Sequence, residues 1–115
     1  MWVMTRIGFF SVVEDRNDPN GVLVRGRVCE DLRLMSVLIG SLGESKECPD
    51  VVQMDDADYQ FRIFITKQEW SDALAALAKT IDYDNFNHTV DEPLRHQAYM
   101  DVWSDLRLLE DLNPE

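Results

Sequence analysis

The sequence predicts an α+β fold, in which helices cover one face of a four-stranded antiparallel sheet as a two-layer sandwich. Apolar residues follow a strand-like pattern in four stretches and recur at spacings of three and four in three others. The stretches follow one another in the order β-β-α-β-β-α-α, and two ββα units in series favour an antiparallel sheet with helices on one side. A ferredoxin-like fold has the same order once its last strand is moved to the front. We therefore expect a permuted ferredoxin-like arrangement, as a single domain over residues 1–115.

The first part of the chain predicts a hairpin and a helix. β-Branched and aromatic residues are concentrated in Trp2 to Val13 and in Val22 to Val28. Between these stretches lies a turn-forming segment that contains Pro19 and Gly21, and two strands around such a turn predict a hairpin. Apolar residues then recur every three or four positions, which predicts a helix over residues 30–42.

The middle of the chain predicts two more strands and a capped helix. Val51 to Met54 can form a short strand, and Tyr59 to Thr66 alternates clearly enough that we expect it at the centre of the sheet. Thr66 precedes Glu69 by three residues, which is the spacing of a capping box. This spacing predicts a helix over residues 67–81, with Trp70 in the core.

The last third predicts a short turn and a long helix. Asp84 can cap a helical turn that runs to Val90, and Pro93 suits the first turn of a helix near residues 94–110. The apolar face of that helix is predicted to be buried, and it comprises Leu94, Ala98, Val102, Leu106 and Leu109.

Charge is distributed unevenly along the chain. The net charge is −11, and residues 1–43 balance five acids with five arginines, so the whole excess lies in residues 44–115. Such a charge repels nucleic acid and anionic membranes when averaged over the surface. The N-terminal apolar stretch is short and contains Arg6, and Cys29 and Cys48 lack a CxxC spacing. We therefore expect a cytoplasmic protein with no membrane segment and with reduced, partly buried cysteines.

Several stretches resemble a family of small bacterial proteins. They are MWVMTRIGFFSVVED, LVRGRV, ADYQFRIFITKQEW, IDYDNFNHTV and RHQAYMDVWSDL. Members of that family begin with Met-Trp and a Gly-Phe-Phe-Ser strand, and they carry an Ala-Asp-Tyr strand, an Ile-Asp-Tyr-x-Asn-Phe turn and a helix with a Tyr-x-x-Val-Trp core. The resemblance covers most of the chain except residues 40–55. It implies a bacterial or phage cytosolic origin and no catalytic residue.

Neither catalysis nor metal binding is predicted. His88 and His96 are eight positions apart with Pro93 between them, whereas a metal site needs three or four converging ligands. The chain has no nucleophile elbow, Walker loop or His-Glu-x-x-His motif. We therefore predict no cofactor and no metal, and we leave an enzyme of unknown chemistry as a third hypothesis.

The sheet face that the helices leave open is one candidate binding surface. If alternate residues of Tyr59 to Thr66 face the helices, arginines and an aromatic residue share the opposite face. Such interleaving is how single-stranded nucleic acid is commonly held, and it also suits a small ligand. The candidate residues are Arg25, Arg27, Arg62 and Phe64, with Arg6 and Phe10 as additions.

The principal hypothesis concerns the acidic residues of the last third, which we call the acidic strip. A run of carboxylates can imitate the phosphates of nucleic acid and occupy a basic channel of another protein. The sequence thus predicts a non-enzymatic module that inhibits a basic nucleic-acid-handling protein, as a phage anti-defence or immunity-type inhibitor does. The alternative is a solvated face that only keeps the protein soluble, and the oligomeric state is left open. The acidic strip comprises Asp82, Asp84, Asp91, Glu92, Asp101, Asp105, Glu110 and Asp111.

Overall fold

The computed structural model describes residues 1–114 and confirms the α+β class. The chain forms an antiparallel five-stranded sheet and three α-helices. It divides into two compact units, residues 1–81 and residues 82–115, which we call the sheet unit and the C-terminal unit. The permuted ferredoxin-like arrangement, the single domain and the packing of the third helix on the sheet stay predictions.

The sheet has one strand more than predicted. Its strands are β1 (Trp2–Thr5), β2 (Gly8–Glu14), β3 (Gly21–Gly26), β4 (Val52–Gln53) and β5 (Phe61–Thr66). They lie in the order β1-β2-β3-β5-β4, and every neighbouring pair is antiparallel. The central strand is therefore β3, and the prediction that the Tyr59 segment would be central was wrong.

The extra strand arises because the first apolar stretch turns back on itself. The Thr5 hydroxyl accepts hydrogen bonds from the backbone N–H groups of Ile7 and Gly8, and it donates to the Gly8 carbonyl. A threonine side chain that bonds to nearby backbone in this way stabilises a tight turn. β1 and β2 consequently pair as a hairpin, in which Thr5 lies opposite Gly8.

Two helices complete the sheet unit, and both were predicted. They are α1 (Cys29–Leu42) and α2 (Lys67–Lys79). The predicted capping box is present: the Thr66 hydroxyl accepts from the Glu69 N–H at 3.0 Å, and the Glu69 carboxylate accepts from the Thr66 N–H at 2.9 Å. Val28, which the sequence placed at the end of the second strand, is exposed and forms the N-cap of α1.

The core lies between one face of the sheet and these two helices. Residues from β2, β3 and β5 alternate into it, and α1 and α2 supply the other wall. Trp70 is buried, as predicted. The buried apolar cluster comprises Phe10, Val12, Val22, Val24, Leu32, Met35, Ile39, Ile63, Ile65, Trp70 and Ala73.

The C-terminal unit is helical. It contains a 3₁₀ turn (Phe86–Thr89), α3 (Pro93–Asp105) and a second 3₁₀ segment (Leu106–Leu112). Asp84 does not cap the first turn, since Asn85 occupies that position and makes no capping bond with its side chain. A helix was predicted over residues 94–110, whereas the α-helix of the structure ends at Asp105.

The buried face of α3 differs from the prediction. Tyr99 is buried and stacks on Phe86 with a centroid separation of 5.8 Å, and the Asn87 amide donates to the Met100 sulfur. All five residues of the predicted face, including Val102 and Leu106, are exposed. Successive side chains point about 100° apart around a helix. An assignment of the buried face that is wrong by one residue therefore places exposed side chains in the core.

Two further expectations can be compared with the structure. Both cysteines are free, but Cys29 and Cys48 are exposed rather than partly buried. Among residues 1–114, no helix is long and apolar enough to cross a membrane.

Candidate binding surfaces

The open face of the sheet carries two neighbouring rows of side chains across β2, β3 and β5. In the first row Val13 lies opposite Leu23, which lies opposite Phe64. In the second row Ser11 lies opposite Arg25, which lies opposite Arg62. Paired side chains of an antiparallel sheet lie on the same face, so an apolar row runs directly beside a basic row.

A concavity of about 350 Å³ opens over these rows. Arg25, Arg62 and Phe64 line it, together with Glu14 at the end of β2 and with Asp15 and Arg16 of the turn that joins β2 to β3. Phe64 is 49% exposed, which is a large fraction for an aromatic side chain of a strand. The volume lies at the lower end of the range for ligand sites.

Neutral groups hold the two strand arginines of the concavity. Arg25 donates to the Ser11 hydroxyl at 2.8 Å, and its guanidinium lies 4.9 Å from the centre of the Tyr59 ring. Arg62 donates to the Tyr59 carbonyl at 3.0 Å, and its Nε is buried without a hydrogen-bond partner. Within residues 1–114, no carboxylate forms an ion pair with Arg16, Arg25 or Arg62. The positive charge of the concavity is therefore not neutralised by direct contacts.

The other predicted residues of the sheet face lie elsewhere. Arg27 does not line the concavity, because it pairs with Asp58 at 3.1 Å and its guanidinium lies 4.5 Å from the centre of the Tyr59 ring. Arg6 donates to the Thr80 carbonyl. Phe10 is fully buried in the core, so its assignment to the open face was wrong.

Sequence reasoning missed the contribution of the β2–β3 turn. Glu14, Asp15 and Arg16 stood out only as part of a turn-forming segment. The Asp15 carboxylate accepts from the Asn17 N–H at 2.9 Å, which is the local bond that makes aspartate common in turns. The sequence did contain a signal for this contribution. The turn of a hairpin lies at the end of both of its strands, and therefore beside the side chains that those strands carry there.

The eight residues of the acidic strip all lie in the C-terminal unit, and all eight are exposed. Asp101 and Asp105 are four residues apart on α3, which places them on the same side of the helix. Residues 82–115 contain nine acids against two arginines. The C-terminal unit is therefore strongly negative.

Large apolar side chains are exposed on the same unit. Leu94 and Leu112 are 81% and 80% exposed, and five large apolar residues between them are each at least 39% exposed. Scattered single apolar residues are normal on a surface, whereas a concentration of them marks an interaction site. We call this set the apolar C-terminal residues: Leu94, Val102, Trp103, Leu106, Leu108, Leu109 and Leu112.

One carboxylate of the strip has a clear structural role. The backbone N–H of Arg95 donates to the Glu92 carboxylate at 2.7 Å and that of Leu94 at 3.1 Å, so Glu92 caps α3. The bond from Arg95, followed by the bond from Leu94, holds the pKa of Glu92 below its ordinary value. Hydrogen bonds to the charged form of a carboxylate favour that form.

The two histidines have separate surroundings. His88 is exposed, and the His96 Nδ1 lies 3.2 Å from the Val90 carbonyl, to which it can only donate. Across residues 1–114, no three side chains of ligand type converge on a point that could hold a metal ion.

Comparison with models of protein families, with curated proteins and with solved structures finds no match for this chain. The resemblance to the bacterial family stays a prediction. The molecule thus presents two candidate binding surfaces, the concavity of the sheet unit and the acidic strip with the apolar C-terminal residues.

Proposed function

We propose that the protein is a non-enzymatic binding module that inhibits a basic nucleic-acid-handling protein. In this proposal the acidic strip occupies the partner's nucleic-acid site, where its carboxylates replace phosphates. The resemblance to a bacterial family supports a bacterial or phage origin, in which the module acts as an anti-defence or immunity-type inhibitor.

The observation that carries the proposal is the coincidence of exposed acids and exposed apolar residues on one small unit. A face that only keeps a protein soluble needs carboxylates, but it gains nothing from exposed leucines and a tryptophan. Protein interfaces combine an apolar centre with a polar rim, and tryptophan is enriched there. Trp103, which is 59% exposed, is the natural anchor of such an interface.

Charge favours a basic partner over an acidic or neutral one. Opposite potentials steer two proteins together and raise the association rate, whereas like charges disfavour wrong partners. A surface with nine acids against two arginines repels nucleic acid itself. The C-terminal unit is therefore complementary in charge to a protein with a basic, phosphate-binding surface.

The test begins with capture from a bacterial lysate and continues with the purified captured protein. We expect a basic nucleic-acid-binding protein that duplex DNA displaces from the immobilised module. A triple variant, Asp101→Asn, Asp105→Asn and Asp111→Asn, should then bind this protein at least about tenfold more weakly, because it loses three charges of the interface.

The matched control removes three charges from the sheet unit instead. Glu44, Glu47 and Asp56 are exposed, and within residues 1–114 none of their carboxylates has a hydrogen-bond or ion-pair partner. Replacing these residues with glutamine or asparagine changes the net charge equally, and we expect little loss of affinity. Equal losses in the two triple variants, or a captured protein that DNA fails to displace, would contradict the proposal.

A further inference from the structure

The concavity lies on the sheet unit, whereas the acidic strip belongs to the C-terminal unit. The lining of the concavity combines an apolar row with a basic row. An apolar row that ends at Phe64 and a basic row that ends at Arg62 run side by side across three strands. Residues on one face of a strand are two positions apart, so the rows are separated by about 7 Å. A ligand that spans both rows needs a flat apolar part and an anionic part at that spacing.

We propose that this concavity binds a nucleoside monophosphate. Its base lies on Phe64 and Leu23, and its phosphate accepts hydrogen bonds from Arg25 and Arg62. Bases stack readily on aromatic side chains, and planar guanidinium groups bind phosphate through paired hydrogen bonds.

The neutral hydrogen-bond partners of the arginines support an anionic ligand. Arg25 and Arg62 are positioned by a hydroxyl and by a carbonyl rather than by carboxylates, so their position is fixed while their charge stays available. Arg16 contributes a third cation from the turn. A preorganised donor loses less conformational entropy when the ligand arrives.

The turn and the size of the concavity favour one nucleotide over a strand. Glu14 and Asp15 border the concavity, and the Asp15 carboxylate can accept a hydrogen bond from a hydroxyl group of a ribose. The Asp15 carboxylate repels a continued phosphate backbone, as does the net charge of −11. A volume of about 350 Å³ also suits a single nucleotide better than several.

The experiment measures binding of the four nucleoside monophosphates, of the corresponding nucleosides, of inorganic phosphate and of a single-stranded oligonucleotide to the full chain. Amide chemical shifts locate the site, and titration gives Kd. We expect at least one monophosphate to saturate the site with shifts at Leu23 and Phe64. Its nucleoside and inorganic phosphate should each bind at least about tenfold more weakly, because each contacts only one of the two rows.

Matched variants test the assignment of the residues. Arg62→Gln should weaken binding at least about tenfold, since it removes charge-assisted hydrogen bonds, whereas Arg27→Gln removes the same charge outside the concavity and should change Kd less than about twofold. Phe64→Leu keeps an apolar side chain but removes the stacking surface, and it should weaken the monophosphate more than inorganic phosphate. Amide spectra of each variant establish that it is folded.

Three results would overturn the inference. They are the absence of saturable binding by every monophosphate, equal losses in Arg62→Gln and Arg27→Gln, and tighter Arg62-dependent binding of the oligonucleotide, which would assign the face to a strand. None of these results bears on the acidic strip, because that surface belongs to the C-terminal unit. Failure of this inference and failure of the proposed inhibitor function are therefore distinguishable.

Discussion

Asp31 joins a helix to a hairpin through a single buried carboxylate. It is 3% exposed, lies in the first turn of α1 and accepts a hydrogen bond from the Phe9 N–H at 3.3 Å. Negative charge at this end of a helix also interacts favourably with the helix dipole. A β-carbon at Gly8 would overlap the Asp31 side chain, so glycine at this position leaves room for the contact.

Two leucines should respond differently to truncation. Leu32 is fully buried and packs over Gly26, whereas Leu106 is 55% exposed. We expect Leu32→Ala to lower the free energy of unfolding by about 2–5 kcal/mol, because it leaves a cavity in the core. Leu106→Ala should stay within about 0.5 kcal/mol, as exposed substitutions usually do. Urea denaturation of both variants measures the difference, and a large loss in Leu106→Ala would show that its side chain is buried in solution.

At the scale of elements, one helix of each unit, α2 and α3, begins with side chains that bind its first free N–H groups. Thr66 and Glu69 do so reciprocally for α2, and Glu92 does so for α3. The first N–H groups of a helix have no partner inside the helix, so these bonds determine where each helix begins. The two caps differ in chemistry, since a neutral hydroxyl binds the Glu69 N–H of α2 and a titratable carboxylate binds the Leu94 and Arg95 N–H groups of α3.

The α2 cap should contribute measurably to stability. Thr66→Ala removes the hydroxyl that accepts from the Glu69 N–H, and we expect a loss of about 1 kcal/mol. Thr66→Ser keeps the hydroxyl and is the control. Thermal and urea unfolding measure both variants, and an equal loss in the serine variant would assign the effect to the lost methyl group.

The α3 cap should depend on pH. The folded-state pKa of Glu92 lies below the ordinary value of 4.5, so its contribution is fully present above that value and is lost as the pH falls through the folded-state pKa. Carbon-detected NMR titration of the Glu92 carboxyl should show the lowered pKa. Glu92→Gln removes the titration and should flatten this part of the stability profile. A Glu92 pKa at or above 4.5 would contradict the capping geometry.

At the scale of the whole molecule, the two units differ in their balance of acids and bases. The sheet unit carries 13 acids against nine bases, whereas residues 82–115 carry nine acids against two. Acids therefore dominate the C-terminal unit while the sheet unit keeps an unneutralised basic row.

Binding of the proposed partner should depend steeply on salt. Exposed charges are screened beyond a Debye length of about 8 Å at physiological ionic strength, so raising the salt concentration should slow association. Asparagine at positions 101, 105 and 111 should slow association more than it speeds dissociation, because peripheral charges act mainly on encounter. Arg62→Gln should leave both rates nearly unchanged. Stopped-flow kinetics measures these rates, and a salt-independent association rate would contradict the electrostatic proposal.

Most elements could be predicted because their signals are local. The capping box of α2, the period of α1 and the turn before β3 each depend on residues within a few positions of one another. The pairing of Arg25, Arg62 and Phe64 on one face also followed from alternation along two strands. The exposed position of every residue in the acidic strip agrees with the rule that charged side chains are seldom buried.

The remaining features depend on which residues meet across long stretches of chain. Alternation divides a strand or helix into faces, but it does not say which face is buried; Phe10 and Leu106 were both assigned to the wrong side for this reason. The hairpin at Thr5 and the contribution of Arg16 to the concavity likewise follow from packing and strand pairing. The sequence by itself determined the class of fold, the helix starts and the charge of each segment, because these depend on neighbours along the chain. Only the tertiary structure decided the buried face of α3 and the lining of the concavity, because those depend on contacts between distant residues.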